Sequence, residues 1–157
     1  MIISQATLND IFILAPLLDA YRVFYKQISD LKAAEIFLRE RIQLNQSVIF
    51  ICRENDRALG FTQLNPIFSS VSMKPAWLLN DLYVEASARK KGVAALLLNK
   101  AAEHGQFTGA AWLLLSTASD NFIAQSVYEK NGWNKLNDFF YELPLPDSSL
   151  APSLQSH

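Results

Sequence analysis

Between Leu82 and Leu98 the chain passes from an apolar stretch, Leu82-Tyr83-Val84, through Arg89-Lys90-Lys91-Gly92-Val93-Ala94 and straight into Ala95-Leu96-Leu97-Leu98. This reads as a strand, a basic loop and the start of a helix. The first N–H groups of a helix have no internal acceptors and carry the positive end of its dipole, so an anion is stabilised there. Three consecutive cations, Arg89, Lys90 and Lys91, add to that field. Gly92 has no Cβ, which permits an unusual φ and lets the backbone approach a bulky anion. A phosphate or pyrophosphate is the guest such a loop suits, although the run taken alone also reads as a solvated charge cluster beside a turn. The glycines are Gly60, Gly92, Gly105, Gly109 and Gly132, so neither the dinucleotide nor the P-loop pattern can be assembled.

The chain has 157 residues, half of them hydrophobic, which suits one domain with a sizeable core. A net charge of -1 gives no reason to expect a nucleic-acid partner, since the basic loop is local. Cys52 is the single cysteine and follows Val48-Ile49-Phe50-Ile51, which excludes a disulfide framework and makes it a buried thiol rather than a nucleophile. A reducing cytoplasm fits. No window approaches the ~20 apolar residues that span a bilayer, and no signal-type segment opens the chain, so a soluble protein without membrane partners is expected.

Ile2-Ile3-Ser4 reads as a first strand, and Thr7 with Asp10 as a capping box for a helix over 8–25, which Pro16 should kink or interrupt. Asp30 caps a second helix over 31–44. Strands follow at 47–52 and 58–64 around the turn Glu54-Asn55-Asp56-Arg57. Residues 67–75 read as a hairpin connection into a strand over 77–84. A third helix is expected over 92–107, a strand over 111–117 and a fourth helix over 121–131 ended by Gly132. Strands at 133–136 and 139–143 complete a mixed α/β sheet.

Arg89-x-x-Gly92-x-Ala94 after an apolar strand resembles the pyrophosphate loop of the GNAT superfamily, the acyl-CoA-dependent N-acyltransferases. Residues 116–133, with Asn121, Ala124-x-x-x-Tyr128 and Gly132-Trp133, resemble the segment that follows that loop in the superfamily. The element order is also the GNAT order, and the resemblance covers roughly 2–143. The first half, with Tyr21, Phe24, Tyr25 and Phe37-Leu38-x-Glu40-Arg41, resembles a bacterial group related to yeast histone and amino-acid acetyltransferases.

The resemblance implies a mostly antiparallel seven-stranded GNAT sheet with about four helices, in which the strands 77–84 and 111–117 splay so that acetyl-CoA completes the sheet. It implies that Leu82, Tyr83 and Val84 meet the acetyl group and pantetheine. Arg89, Lys90, Lys91, Gly92, Val93 and Ala94 would meet the pyrophosphate, largely through main-chain N–H groups, and Asn121, Ala124 and Tyr128 the thiol end. For Leu82 and Val84 core packing is the plainer reading, and both roles can coexist because pantetheine uses the backbone.

Tyr128 is expected to protonate the departing thiolate, because a phenol with an ordinary pKa near 10 is still a donor at neutral pH; otherwise it is a tyrosine packed on the sheet. The acceptor amine must lose a proton, for which Asp81 and Glu40 are candidate bases. Asp81 sits in an apolar strand and needs a partner, so a structural hydrogen bond to the first helices is an equal reading. Glu40 reads more simply as a solvated carboxylate. Tyr21, Phe24 and Tyr25 lie at i, i+3, i+4, as core or as one wall of an acceptor site. Phe68 reads as the other lip or a dimer contact. His104, on the outer side of its helix, and His157 lie too far apart in sequence for a metal site.

The expected activity is direct transfer of acetyl from acetyl-CoA to a primary amine of a small molecule or protein. The competing reading is a non-catalytic acyl-CoA-binding sensor. The domain is expected over 1–143. The tail over 144–157 has a composition that normally signals disorder, and Leu145, Leu150 and Leu154 are expected to hold it on the domain or on the neighbour in a homodimer.

Overall fold

The computed structural model describes residues 1–147. Its elements are β1 (Ile2–Gln5), α1 (Ile11–Phe24), α2 (Leu31–Gln43), β2 (Val48–Glu54), β3 (Arg57–Ser69), β4 (Lys74–Val84), α3 (Val93–Phe107), β5 (Leu113–Leu114) and α4 (Phe122–Lys130). Short 3-10 turns at Leu8–Asp10 and Ala86–Ala88 precede α1 and α3. The strands form one sheet in the order β1-β2-β3-β4-β5, antiparallel except for the parallel pair β4–β5. No helix of the described residues is long and apolar enough to cross a membrane.

The run Val48 to Cys52 is continuously apolar because β2 is covered on both faces. Ile49 and Ile51 pack with Phe61 against Leu14, Leu18 and Leu38 of α1 and α2. Phe50 and Cys52 pack on the other face with Leu97, Leu98 and Ala101 of α3. The Thr7–Asp10 box forms as expected, with the Thr7 N–H donating to Asp10 Oδ2 at 2.7 Å and the Asn9 N–H to Thr7 Oγ1 at 3.3 Å. It caps the 3-10 turn, so the α-helix starts at Ile11 and then continues through Pro16.

The β3–β4 hairpin is longer than the sequence suggests. Both strands continue past Pro66, with Phe68 opposite Pro75 and Ser69 opposite Lys74. Proline lacks only a donor, and the ladder at the Pro66–Trp77 pair continues without it. The register slips once, from Gln63↔Asp81 to Leu64↔Leu79, which leaves Asn80 as an extra residue on β4. Such a bulge resets the alternation of the strand. Trp77 and Leu79 face α3, as do Leu82 and Val84, whereas Tyr83 packs into the α1–α2 layer.

Three expectations are corrected. The sheet has five strands, not seven. Residues 133–136 and 139–143 make no ladder, and Phe139, Tyr141 and Leu143 are exposed. Strand propensity expresses packing against a partner, and β5, expected over 111–117, presents only two residues for pairing. Leu145 is 82% exposed rather than packed on the domain; Leu150 and Leu154 lie outside the described residues. His104 turns inward rather than outward, its ring 4.9 Å from Trp77 and 5.5 Å from Phe50. Burial first, and then Lys100, lower its pKa.

Candidate active site

The β4–β5 ladder is limited to Trp77↔Leu113 and Leu78↔Leu114, while β4 continues to Val84. Along Leu79–Val84 the β5-side edge of β4 therefore has no strand partner among the described residues. Leu82 and Val84 turn half-buried side chains toward the α3 layer, leaving this edge as backbone.

The loop beyond β4 is fastened at its base. Glu85 N–H donates to Leu59 O at 2.9 Å, and Arg57 Nη2 donates to Glu85 Oε1 at 2.6 Å and to Ser87 Oγ at 2.5 Å. Lys90 (φ 61°) and Gly92 (φ 82°) are both left-handed, bracketing Lys91. Gly92 is the N-cap of α3 and offers no side-chain acceptor. The first intrahelical bond runs from Leu96 N–H to Gly92 O, so the N–H groups of Val93, Ala94 and Ala95 have no helical acceptor. A Cβ on Gly92 would meet nothing within 4 Å, which leaves open space above the backbone. Arg89 behaves differently from its two neighbours. Its Nε donates to Val84 O at 3.2 Å and its guanidinium lies 5.9 Å from the Phe24 ring centroid, tying the loop to α1. Lys90 and Lys91 are exposed.

Asn121 caps α4, its Oδ1 accepting from Ala124 N–H at 3.2 Å. Tyr128, further along α4, is half-buried in the α3-side layer with its ring 6.4 Å from Trp133. Burial, with a smaller contribution from Tyr25, raises its pKa, so the phenol keeps its proton to higher pH than an exposed tyrosine.

Across the sheet, Tyr21, Gln63 and Asp81 converge. Asp81 is 8% exposed and accepts from Gln63 Nε2 at 2.5 Å and Asn80 Nδ2 at 3.0 Å. Thr62 Oγ1 donates to the Asp81 carbonyl at 2.9 Å, holding the backbone beside the bulge. The Tyr21 hydroxyl lies beside Asp81 and Tyr25; burial above all, then the Asp81 charge, raises its pKa strongly. The Tyr21 ring lies 5.0 Å from that of Tyr25 and 6.0 Å from that of Tyr83. Phe24 and Tyr25 are more than half exposed and form an open edge. Tyr21 and Tyr25 thus gather beside Asp81 on the α1 side, and Tyr25 is within electrostatic range of Tyr128.

Two expected residues lie outside it. Phe68 is five positions along β3 from Gln63, about 16 Å at strand spacing, and 82% exposed. Glu40 pairs with Arg41 at 3.1 Å on an exposed part of α2. Gln63 was missed. A glutamine inside the run Leu59 to Leu64 needs a buried partner, and that signal was present in the sequence.

The arrangement fits acetyl-CoA: an unpaired strand edge for the amides of the arm, free N–H groups and open space at the loop, and a protonated phenol nearby. A model of the Acetyltransferase (GNAT) family matches residues 14–133. The uncharacterized N-acetyltransferase YhfO of Bacillus subtilis is 46% identical over 141 residues, covering 90% of this chain and 95% of its own. The crystal structure of a probable acetyltransferase superposes with a TM-score of 0.89 at 43% identity, covering 94% of this chain and 99% of that one. A predicted acetyltransferase with acetyl-CoA from Clostridium acetobutylicum shares the fold at a TM-score of 0.74 and 15% identity, over 90% of this chain and 95% of that one. On the family match and the identity to YhfO, this chain belongs to the GNAT family and is an N-acetyltransferase.

Proposed function

We propose that the enzyme moves the acetyl group of acetyl-CoA directly to a primary amine, with the donor on the β5 side of β4 and the acceptor entering from the α1 side. One observation carries this reading: β4 has an unpaired edge beside an open helix N-terminus, and the carboxylate of Asp81 is buried on the opposite face. The main-chain groups of 82–84 would hold the pantetheine arm, those of 92–95 the pyrophosphate, and Lys90 and Lys91 would add positive charge. Asn121 already spends its carbonyl on the cap, so its amide N–H groups remain for the ligand.

Acetyl-CoA supplies an activated thioester. Asp81 accepts the proton that the acceptor nitrogen must lose, and Gln63 and Asn80 hold the carboxylate in place. Tyr128 gives a proton to the leaving sulfur; its raised pKa keeps that proton available throughout the neutral range. Net, one proton passes from nitrogen to sulfur and no covalent enzyme intermediate is required.

Tyr25 and Phe24 form the near wall of the acceptor entrance, and a long or polymeric acceptor would also meet Phe68. The narrower kinship with the yeast-type group rests on the sequence of the first half. Thiol release measured over a panel of amino acids, polyamines, aminoglycosides and lysine peptides tests the reading. Release that depends on an added amine is expected. No amine raising thiol release above the rate of hydrolysis would defeat it.

A further inference from the structure

Gln63 and Asp81 are direct cross-strand partners on β3 and β4. Gln63 is 1% exposed, and its Nε2 donates to Asp81 Oδ2 at 2.5 Å. That contact fixes the orientation of the amide, because a carboxylate can only accept and the NH2 end must face it. Oε1 is then the free end of the group. It is buried, and no donor among the described residues reaches it. A buried carbonyl oxygen without a donor carries a desolvation cost, and native structures keep few such atoms without a use for them. Among the described residues the only charged group in hydrogen-bond contact with this amide is the Asp81 carboxylate, which also accepts from Asn80.

We propose that Oε1 of Gln63 receives one N–H of the acceptor amine, which makes Gln63 a positioning residue that selects primary amines. The inference rests on the amine reading above. A primary amine has two N–H bonds at the attacking nitrogen. One faces Asp81, which takes that proton as the N–C bond to the acetyl carbon forms and the C–S bond breaks; the thiolate takes its proton from Tyr128. The second N–H is retained in the amide product and needs an acceptor throughout, which Gln63 Oε1 provides. A secondary amine or an alcohol has only one such donor, so binding it would leave Oε1 buried and unpaired.

The test compares kcat/KM for the best primary amine of the panel with that for its N-methyl derivative, in the wild type, Gln63→Met and Gln63→Glu. The wild type should prefer the primary amine by about 10-fold or more, the usual consequence of leaving one buried polar group unpaired. Gln63→Met should lose about 10-fold on the primary amine, mostly in its KM, with the KM for acetyl-CoA unchanged, and its preference should fall toward unity. Gln63→Glu cannot donate to Asp81 when ionised but keeps an oxygen at the Oε1 position, so it should turn over more slowly while retaining the preference.

An indifferent wild type overturns the proposal. So does a preference unchanged in Gln63→Met, which would mean that steric bulk alone excludes the methyl group. Equal loss of preference in both variants also overturns it and reduces Gln63 to a clamp on Asp81. Acetyl-CoA calorimetry reports whether each variant is folded, and if Gln63→Met is not, the wild-type ratio and Gln63→Glu decide. A wild type that acetylates no amine defeats the function reading itself.

Discussion

The two sides of β4 are built from different materials. On the β5 side the groups proposed to bind are main-chain atoms, namely an unpaired strand edge and three helix N–H groups presented by left-handed Gly92. Toward α1 they are side chains, with Tyr21, Gln63 and Asp81 supplied by three separate elements. A main-chain site tolerates side-chain replacement but depends on backbone geometry that few residues adopt. A side-chain site depends on the identity of each residue and on the register that brings them together. Substitutions on the two sides should therefore fail in different assays.

The largest effect is expected at Asp81. Asp81→Asn keeps the shape and can still accept from Gln63, yet removes the base, so kcat/KM should fall about 10²- to 10³-fold. Acetyl-CoA affinity should stay within about 2-fold, since the donor side is made of backbone. Parallel losses in kinetics and in calorimetry would dissolve the distinction between the two sides.

Gly92→Val should do the opposite. Open space surrounds the position, so the penalty is conformational: a branched residue at φ 82° costs about 1–3 kcal/mol. The loop of the free variant should relax to relieve that strain, so that acetyl-CoA, which must restore the conformation, binds about 5- to 150-fold weaker, with folding largely intact. Calorimetry showing unchanged affinity would remove the loop from the donor site.

Tyr128→Phe should lower kcat by about 10- to 100-fold, the low end or below for general acid catalysis because a thiolate is a tolerable leaving group. Burial and Tyr25 raise the phenol, so its proton is retained past the ordinary tyrosine value and the kcat profile should show no Tyr128-dependent fall below that pH. A decline near pH 8 that disappears in Tyr128→Phe would reverse the sign of this argument. The smallest effect is expected from Phe24→Ala, which releases the Arg89 guanidinium and should weaken acetyl-CoA binding by about 2- to 5-fold.

The contrast also explains what the sequence disclosed. The loop is contiguous, and its glycine, its cations and the helix that follows are all legible as a string. The four helices and the hairpin were equally legible, because each has a local period and its own punctuation at Thr7, Asp30 and Gly132. Asp81 stood out as a charge in an apolar strand. Gln63 did not, because only the pairing of β3 with β4 makes it a partner of Asp81. The strands expected at 133–143 failed for the same reason, since a run of aromatic residues does not specify the ladder it would join. His104 was assigned to the wrong face because helix periodicity gives a spacing, not which stripe turns to the sheet.

The extra residue at Asn80 has a consequence for how this site can drift over evolutionary time. Side chains on a strand alternate, and each residue shares a face with the partner it opposes, so what Asp81 and Tyr83 face is set by their pairing with Gln63 and Phe61. Leu79 and Leu64 face α3, so without Asn80 the strand would simply alternate from Leu79 to Asp81 and every residue up to Val84 would keep its face. A residue lost between Asp81 and Val84 has no such slack and would reverse the faces on one side of the gap. Position 80 is thus the one place in this stretch where length can vary while the chemistry keeps its address.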